Sequence, residues 1–318
     1  MELQTKVKLP NPDFTIDHQH SLLSIGSCFS ENIGRKFNYF KFNIQVNPFG
    51  QQYNPLSVAA GIERLLRNKE YTNSDLIFHN ELYHSFDHHS DFSSANEVDA
   101  LQHINQAFRK SAHALLHANY LFLTFGTAHY FEHIESSKIV SNCHKFPSKT
   151  FHQKLATPNE IVDALNTALF VLMEVNPKLK VIFTVSPVRY FAFGHFENSL
   201  SKAHLFTSIG ELIATNAAFS YFPAYEIILD ELRDYRFYAE DMIHPNAIAI
   251  EYVWNKLAEC YFDSNTIGIN KEIEDIQKII HHRPRNENSI AHQKLLDNCK
   301  LKIDALKHKH NIDFRHSL

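Results

Sequence analysis

Glycine is scarce in this chain, with 8 residues among 318. Each glycine after an apolar run therefore marks a turn where a side chain would obstruct the backbone. Cysteine is scarce too. Cys28, Cys143, Cys260 and Cys299 are widely separated and form no CxxC pair, so neither a zinc ribbon nor a disulfide framework is expected. Long apolar runs are missing. The longest, such as Tyr120 to Phe125 and Val181 to Val185, have strand length and fall far short of the roughly 20 residues of a membrane helix. A basic excess is missing as well: the formal charge is -4 and the pI is near 6.6. That balance leaves no electrostatic footprint for nucleic acid, and the 22 histidines add charge only below about pH 6.5. The opening MELQTKVKLPNPDF carries no apolar region or cleavage site of a secretory signal. Together these absences point to a reduced, cytoplasmic protein with no membrane or nucleic-acid partner. There is no internal repeat and no low-complexity tract.

What is present is a core-forming composition, 44% hydrophobic, with short apolar runs between amphipathic segments. Ser21 to Ile25 reads as a strand ending in Gly26, followed by a helix over Ser30 to Phe40. Phe42 to Val46 reads as a second strand and Pro55 to Leu66 as a helix. Residues 71–95, aromatic and His-rich, predict a β-hairpin insertion with a loop. Glu97 to Ala118 is helical, Tyr120 to Phe125 a buried strand, and His129 to Val140 a further hairpin. Pro158 to Val175 predicts a helix with Thr157 as N-cap and Glu160 closing a capping box. Lys180 to Val185 is another buried strand, Ser199 to Ala218 is helical, Tyr225 to Leu229 is a short strand, and Ala247 to Phe262 is a helix. Short buried strands alternating with helices imply a parallel sheet covered on both faces, with ligands bound beyond the strands' carboxyl ends. The charged tail predicts two helices, Glu272 to His281 and Ile290 to His308, with a turn at HHRPRNEN. The expected division is a domain over 1–265 and a C-terminal helical extension over 266–318 that packs or self-associates, giving a homo-oligomer.

Two loops carry groups suited to chemistry. Gly26-Ser27-Cys28-Phe29 lies between the first strand and its helix. A nucleophile there faces a helix N-terminus, whose free N–H groups favour an anion, lower a thiol pKa and can stabilise an oxyanion. The bland alternative is an N-cap serine beside a buried cysteine. Asp241-Met242-Ile243-His244-Pro245-Asn246 precedes the closing helix. There Asp241 can orient the His244 imidazole, which takes the nucleophile's proton; the alternative is a capped turn with a surface histidine. Arg189 follows a strand, where it suits a carboxylate or phosphate or an internal salt bridge to Glu197 or Asp241. Lys202 falls in ENSLSKA. Asp230, Arg233, Asp234 and Arg236 read as a charge network on a solvated face. His79, His84, His88, His89, His144 and His195 match no zinc spacing. Polar lining of the site mouth is the reading preferred over a metal held by Asp87-His88-His89.

With these loops in view, the chain resembles the SGNH/GDSL hydrolase superfamily, which has a Gly-Asp-Ser turn near one end and Asp-x-x-His near the other. More closely it resembles the GSCFA-domain family, through GSCFS, VNPFGQQYNP, SFDHH, LTFGTA, NCHK, VIFTVSPVRY, ENSLSKA and DELRDYRFYAEDMIHP, across about residues 20–262. The resemblance implies a flavodoxin-like, SGNH-type α/β sheet with helices on both faces, to which the residue pattern adds the small β insertion and the C-terminal helical hairpin. It implies acyl-ester chemistry, as in an esterase or deacetylase acting on a small-molecule or glycan ester. Aligned by glycine, Cys28 is the nucleophile; aligned by serine, Ser27 is. The superfamily's Gly-x-Asn-Asp block falls on Gly126-Thr127-Ala128-His129, where Ala128 cannot replace the oxyanion Asn. Gly50, Gly126 and Thr127, with Arg189, are then the oxyanion and substrate-binding candidates. No cofactor or metal is implied. A coenzyme A-dependent acyltransferase and a non-catalytic glycan- or acyl-binding module are the alternatives.

Overall fold

A computed structural model describes residues 4–286 and 289–314 of the protein. Glu287 and Asn288, part of the expected tail turn, lie outside the described residues, as do 1–3 and 315–318. The element order opens β1 (Ser21–Gly26), α1 (Cys28–Tyr39), β2 (Asn43–Val46), α2 (Pro55–Leu66), β3 (Ile77–His79), β4 (Leu82–His84) and α3 (Glu97–His117). It continues with β5 (Tyr120–Phe125), β6 (His129–His133), β7 (Lys138–Val140), β8 (Phe151–Leu155), α4 (Pro158–Val175), β9 (Lys180–Val185) and α5 (His195–Thr215). It closes with β10 (Phe219–Tyr221), α6 (Ala224–Glu226), α7 (Ala247–Tyr261), α8 (Ser264–Ile280) and α9 (Ile290–His310).

Five strands form one parallel sheet in the order β10-β9-β5-β1-β2. Counted along the chain, its parallel strands lie 2-1-3-4-5 across the sheet, the flavodoxin-like order. The order reverses between β1 and β5, so the chain leaves these neighbours toward opposite sides and opens a crevice at their carboxyl ends. Side chains alternate across the sheet, as a strand's two-residue period requires. Leu23, Ile25, Leu121, Leu123 and Phe125 meet α2, α3, α4 and α5 on one face. Leu22, Tyr120, Phe122 and Ile182 meet α1, α7 and the tail helices on the other.

The insertion is the expected hairpin, β3 against β4, turning on Asn80 and Glu81 with φ of 47° and 62°. The hairpin expected over 129–140 is β6 and β7, and β8 joins it to make a three-stranded antiparallel sheet. The strand expected at Tyr225 to Leu229 is instead helical: α6 runs into a π-helical turn at Ile227–Glu231. Ala224, Ile227, Ile228, Glu231 and Leu232 are the buried positions there, which is helical spacing rather than alternation. The edge strand is β10, just upstream. The expected boundary at 266 falls inside α8, which starts at Ser264 and is capped by Asp263 through the Thr266 N–H at 2.7 Å.

Candidate active site

The turn from β1 to α1 is built by close backbone approach. A Cβ on Gly26 would run into the Thr124 carbonyl of β5. The Gly26 N–H donates to Asn47 Oδ1 at 2.9 Å, and the Ser27 N–H to Thr124 O at 3.1 Å. Ser27 is the N-cap of α1: its hydroxyl accepts the Phe29 N–H at 3.3 Å, and only 1% of the residue is exposed. Cys28 is the first residue of the helix and is partly exposed. Burial pushes its thiol pKa up; the N–H groups of Phe29 and of Cys28 itself oppose this, Glu31 adds to it, and Lys202 pulls the other way. The sequence alone predicts a lowered thiol at this helix end. The structure reverses that, because the desolvation of the sulfur outweighs the helix terminus.

Three of the expected oxyanion donors are committed elsewhere. The Gly50 N–H, at φ 71°, donates to Asn47 O at 2.8 Å and closes the Asn47–Gly50 turn. The N–H groups of Gly126 and Thr127 both donate to Tyr53 O, at 2.8 and 3.0 Å. Thr127 is buried, with its hydroxyl on Ser201 Oγ at 2.9 Å. These residues shape the crevice; they do not offer free donors to an anion. The Cys28 N–H remains as a donor at the site, together with the Phe29 N–H, which is shared with the Ser27 hydroxyl through a long 3.3 Å bond.

Beside the cysteine runs a chain that sequence reasoning missed. Tyr53 donates to Gln51 Oε1 at 2.6 Å, and Gln51 Nε2 donates to Glu31 at 2.7 Å; Arg35 also pairs with Glu31. Burial and then the charges of Cys28 and Glu31 push Tyr53 up to about 12. Burial works against ionisation of Glu31 too, yet hydrogen bonds from Gln51 and Arg35 hold it below the usual carboxylate range. A groove of about 310 Å³ opens here, lined by Glu31, Arg35, Asn47, Gly50, Gln51 and Asp91 among others. The only signal in the sequence was the polar run after Gly50.

Asp241 and His244 are brought together in the loop before α7. Asp241 Oδ2 lies 2.6 Å from His244 Nδ1, while Oδ1 accepts the N–H groups of Ile243 at 3.0 Å and His244 at 2.9 Å. These backbone donors, then the imidazole, hold the Asp241 pKa down at about 2. Met242 takes a left-handed φ of 58°, and the Ala239 N–H closes the loop on His244 O at 2.7 Å. Both side chains are about half exposed. Among the described residues His244 Nε2 has no hydrogen-bond partner, and no hydrogen bond joins Asp241 or His244 to Ser27 or Cys28.

Arg189 is exposed and pairs with neither Glu197 nor Asp241; its charge reaches Lys202, Tyr225 and Tyr238. Lys202 is buried on α5, 3% exposed. The histidines scatter. His88 is buried with Nδ1 on Ser85 Oγ at 3.0 Å, Asp87 accepts from Tyr71 at 3.0 Å, and His89 faces Asp91 at 3.1 Å. His84 bridges Ser93 and the His79 carbonyl, and stacks on His144 at 4.4 Å. His79 stacks on Phe146 and His195 on Phe191. Of this set, His89 is the member at the groove, against Gly50. Among the described residues no three His, Cys, Asp or Glu side chains are grouped to hold a metal, and no helix is long and apolar enough to cross a membrane. Asp230 with Arg233 and Asp234 with Arg236 form exposed local pairs.

The GSCFA family model matches residues 21–257, and the model for the GSCFA domain protein, C-terminal domain, matches residues 273–318. No curated protein matches the chain. Among solved structures, the Clostridium thermocellum family 3 carbohydrate esterase aligns over 79% of this chain and 97% of its own, with 9% identity and a TM-score of 0.36. A likeness at that score carries no argument about chemistry.

Proposed function

The chain belongs to the GSCFA family, and on that premise we propose that it is an SGNH-like acyl-ester hydrolase with Cys28 as nucleophile. The observation that carries this reading is the Asp241–His244 pair, which leaves Nε2 open in a partly exposed loop. Cys28 is favoured over Ser27 because Ser27 is buried and its hydroxyl caps α1. In this mechanism His244 Nε2 removes the Cys28 proton as sulfur attacks the acyl carbonyl. Such a base is needed, since burial keeps the thiol protonated. The N–H groups of Cys28 and Phe29 face the charge developing at this turn. His244 returns its proton to the departing alcohol oxygen, leaving a thioester on Cys28. Water, activated by His244, then attacks the thioester; sulfur leaves, the acid is released, and the proton returns to the thiol. Asp241 holds the imidazole tautomer with hydrogen on Nδ1.

Exposed Arg189, with no carboxylate partner among the described residues, favours a second reading. An anionic acyl donor such as an acyl-coenzyme A thioester would then be a substrate, with coenzyme A leaving as the free thiol, and a sugar hydroxyl would replace water. The test is peptide-level mass spectrometry after rapid acid quench with a short activated acyl ester. An adduct on Cys28 that disappears in His244→Ala supports the mechanism. An adduct on Ser27 overturns the choice of nucleophile. No adduct and no turnover across several acyl donors favours a non-catalytic binding module.

A further inference from the structure

One face of α5 is both polar and buried, which is unusual for a helix packed on a sheet. Asn198, Ser201 and Lys202 are spaced three and four residues apart and are 5%, 2% and 3% exposed. Each reaches a loop at a strand's carboxyl end. Asn198 Oδ1 accepts the Tyr190 N–H at 2.9 Å, in the loop after β9. Ser201 Oγ accepts the Ala128 N–H at 2.7 Å, after β5. Lys202 Nζ reaches both loops, donating to Gly126 O at 2.7 Å, Ser186 O at 2.7 Å and Val188 O at 3.1 Å.

Three carbonyl acceptors require three N–H donors. An ammonium has them; a neutral amine has two, and would turn its lone pair on a carbonyl oxygen. Cys28 on α1 and Arg189 after β9 face this ammonium, and the Tyr225 ring lies 5.7 Å away. On the other side, Cys28 is faced by Glu31 of its own helix and by Tyr53. Burial lowers Lys202 to about 7, with the charge of Cys28 opposing it and that of Arg189 adding to it, and burial raises Cys28 with Lys202 opposing it. The two opposite charges face each other, so each group charges more readily when the other is charged.

We propose that Lys202 is a positioning residue: its buried ammonium clamps the loops after β5 and β9 and stabilises the anion that forms at Cys28. The catalytic consequence rests on Cys28 being the nucleophile, but the coupling is read without turnover. The experiment is iodoacetamide alkylation of the wild-type protein, Lys202→Met and Lys202→Arg across pH, followed on the peptide that contains Cys28. Removing the charge is expected to slow alkylation roughly tenfold near neutral pH, where the ammonium is populated, the equivalent of about one pKa unit. Lys202→Arg keeps the charge and stays within about threefold of wild type. Superimposable wild-type and Lys202→Met profiles, with circular dichroism unchanged, overturn the proposal. Should Lys202→Met not fold, the coupling is read from its other end. The Lys202 Nζ signal, followed by NMR, is expected to lose its proton at lower pH in Cys28→Ala than in wild type. Equal midpoints overturn the proposal. Failure of acylation in the quench experiment, with this coupling intact, removes only the hydrolase reading.

Discussion

At Cys28 two local effects compete, and the sequence displays only one. A helix N-terminus is legible from the order Gly26-Ser27-Cys28, and it favours a thiolate. The opposing burial comes from groups far along the chain, and it prevails. Alkylation of Cys28 is therefore expected to climb still at pH 9, with no plateau near neutrality; a rate that levels off by pH 7 contradicts the raised thiol. Asp241 stays ionised down to about pH 2, so it contributes no acid limb to activity above that. Asp241→Asn is expected to lower kcat on the order of 10⁴-fold with the fold intact, because the wrong imidazole tautomer is then held; steady-state ester hydrolysis checks this. The Asp241–His244 pair was readable because it closes within four residues of chain. Lys202 meets Gly126 76 residues away. Its sequence position gave no hint of that bond, and the same holds for Tyr53.

Among the elements, those with clean periodicity were legible: the helix Pro158–Val175 has the bounds and capping box read from its residues. α6 was misread because an apolar run of strand length carries buried positions at helical spacing. β8 was missed because three of its five residues are exposed, so the apolar alternation that marks a strand is absent. Two glycines separate backbone need from mere tolerance. Gly26→Ala drives a methyl into the Thr124 carbonyl and is expected to cost about 1–3 kcal/mol as the strand ends part. Gly210, inside α5, has nothing within 4 Å of an added Cβ, so Gly210→Ala is expected to stabilise by about 0.5–1 kcal/mol. Urea titrations of the two variants should move in opposite directions.

For the molecule as a whole, the tail packs into the core on one face of the sheet. Ile269, Ile273 and Ile276 of α8, with Cys299 and Leu306 of α9, join the core that holds Phe37 and Trp254. Burying an isoleucine is worth about 1.5–3 kcal/mol, so three of them rival the roughly 5–15 kcal/mol that keeps a domain folded. Truncation after Asp263 is expected to abolish a cooperative thermal transition in circular dichroism. Acid stability should depend on His88, whose burial lowers its pKa to about 3. Unfolded His88 gains a proton near pH 6.5, so folding stability falls as pH drops from about 6.5 to about 3. The slope is at most about 1.4 kcal/mol per pH unit, and His88→Phe should flatten it in urea titrations. The α5 clamp also has a consequence in time. Synthesis runs from the Cys28 end, and the carbonyls of Gly126, Ser186 and Val188 leave the ribosome before Lys202 does. Until α5 docks, those carbonyls bond only water, and the cysteine turn has no cation beside it. A nascent chain thus carries a thiol that ionises more easily than in the folded protein; folding first hinders the anion by burying it and then, as α5 docks, sets a cation beside it.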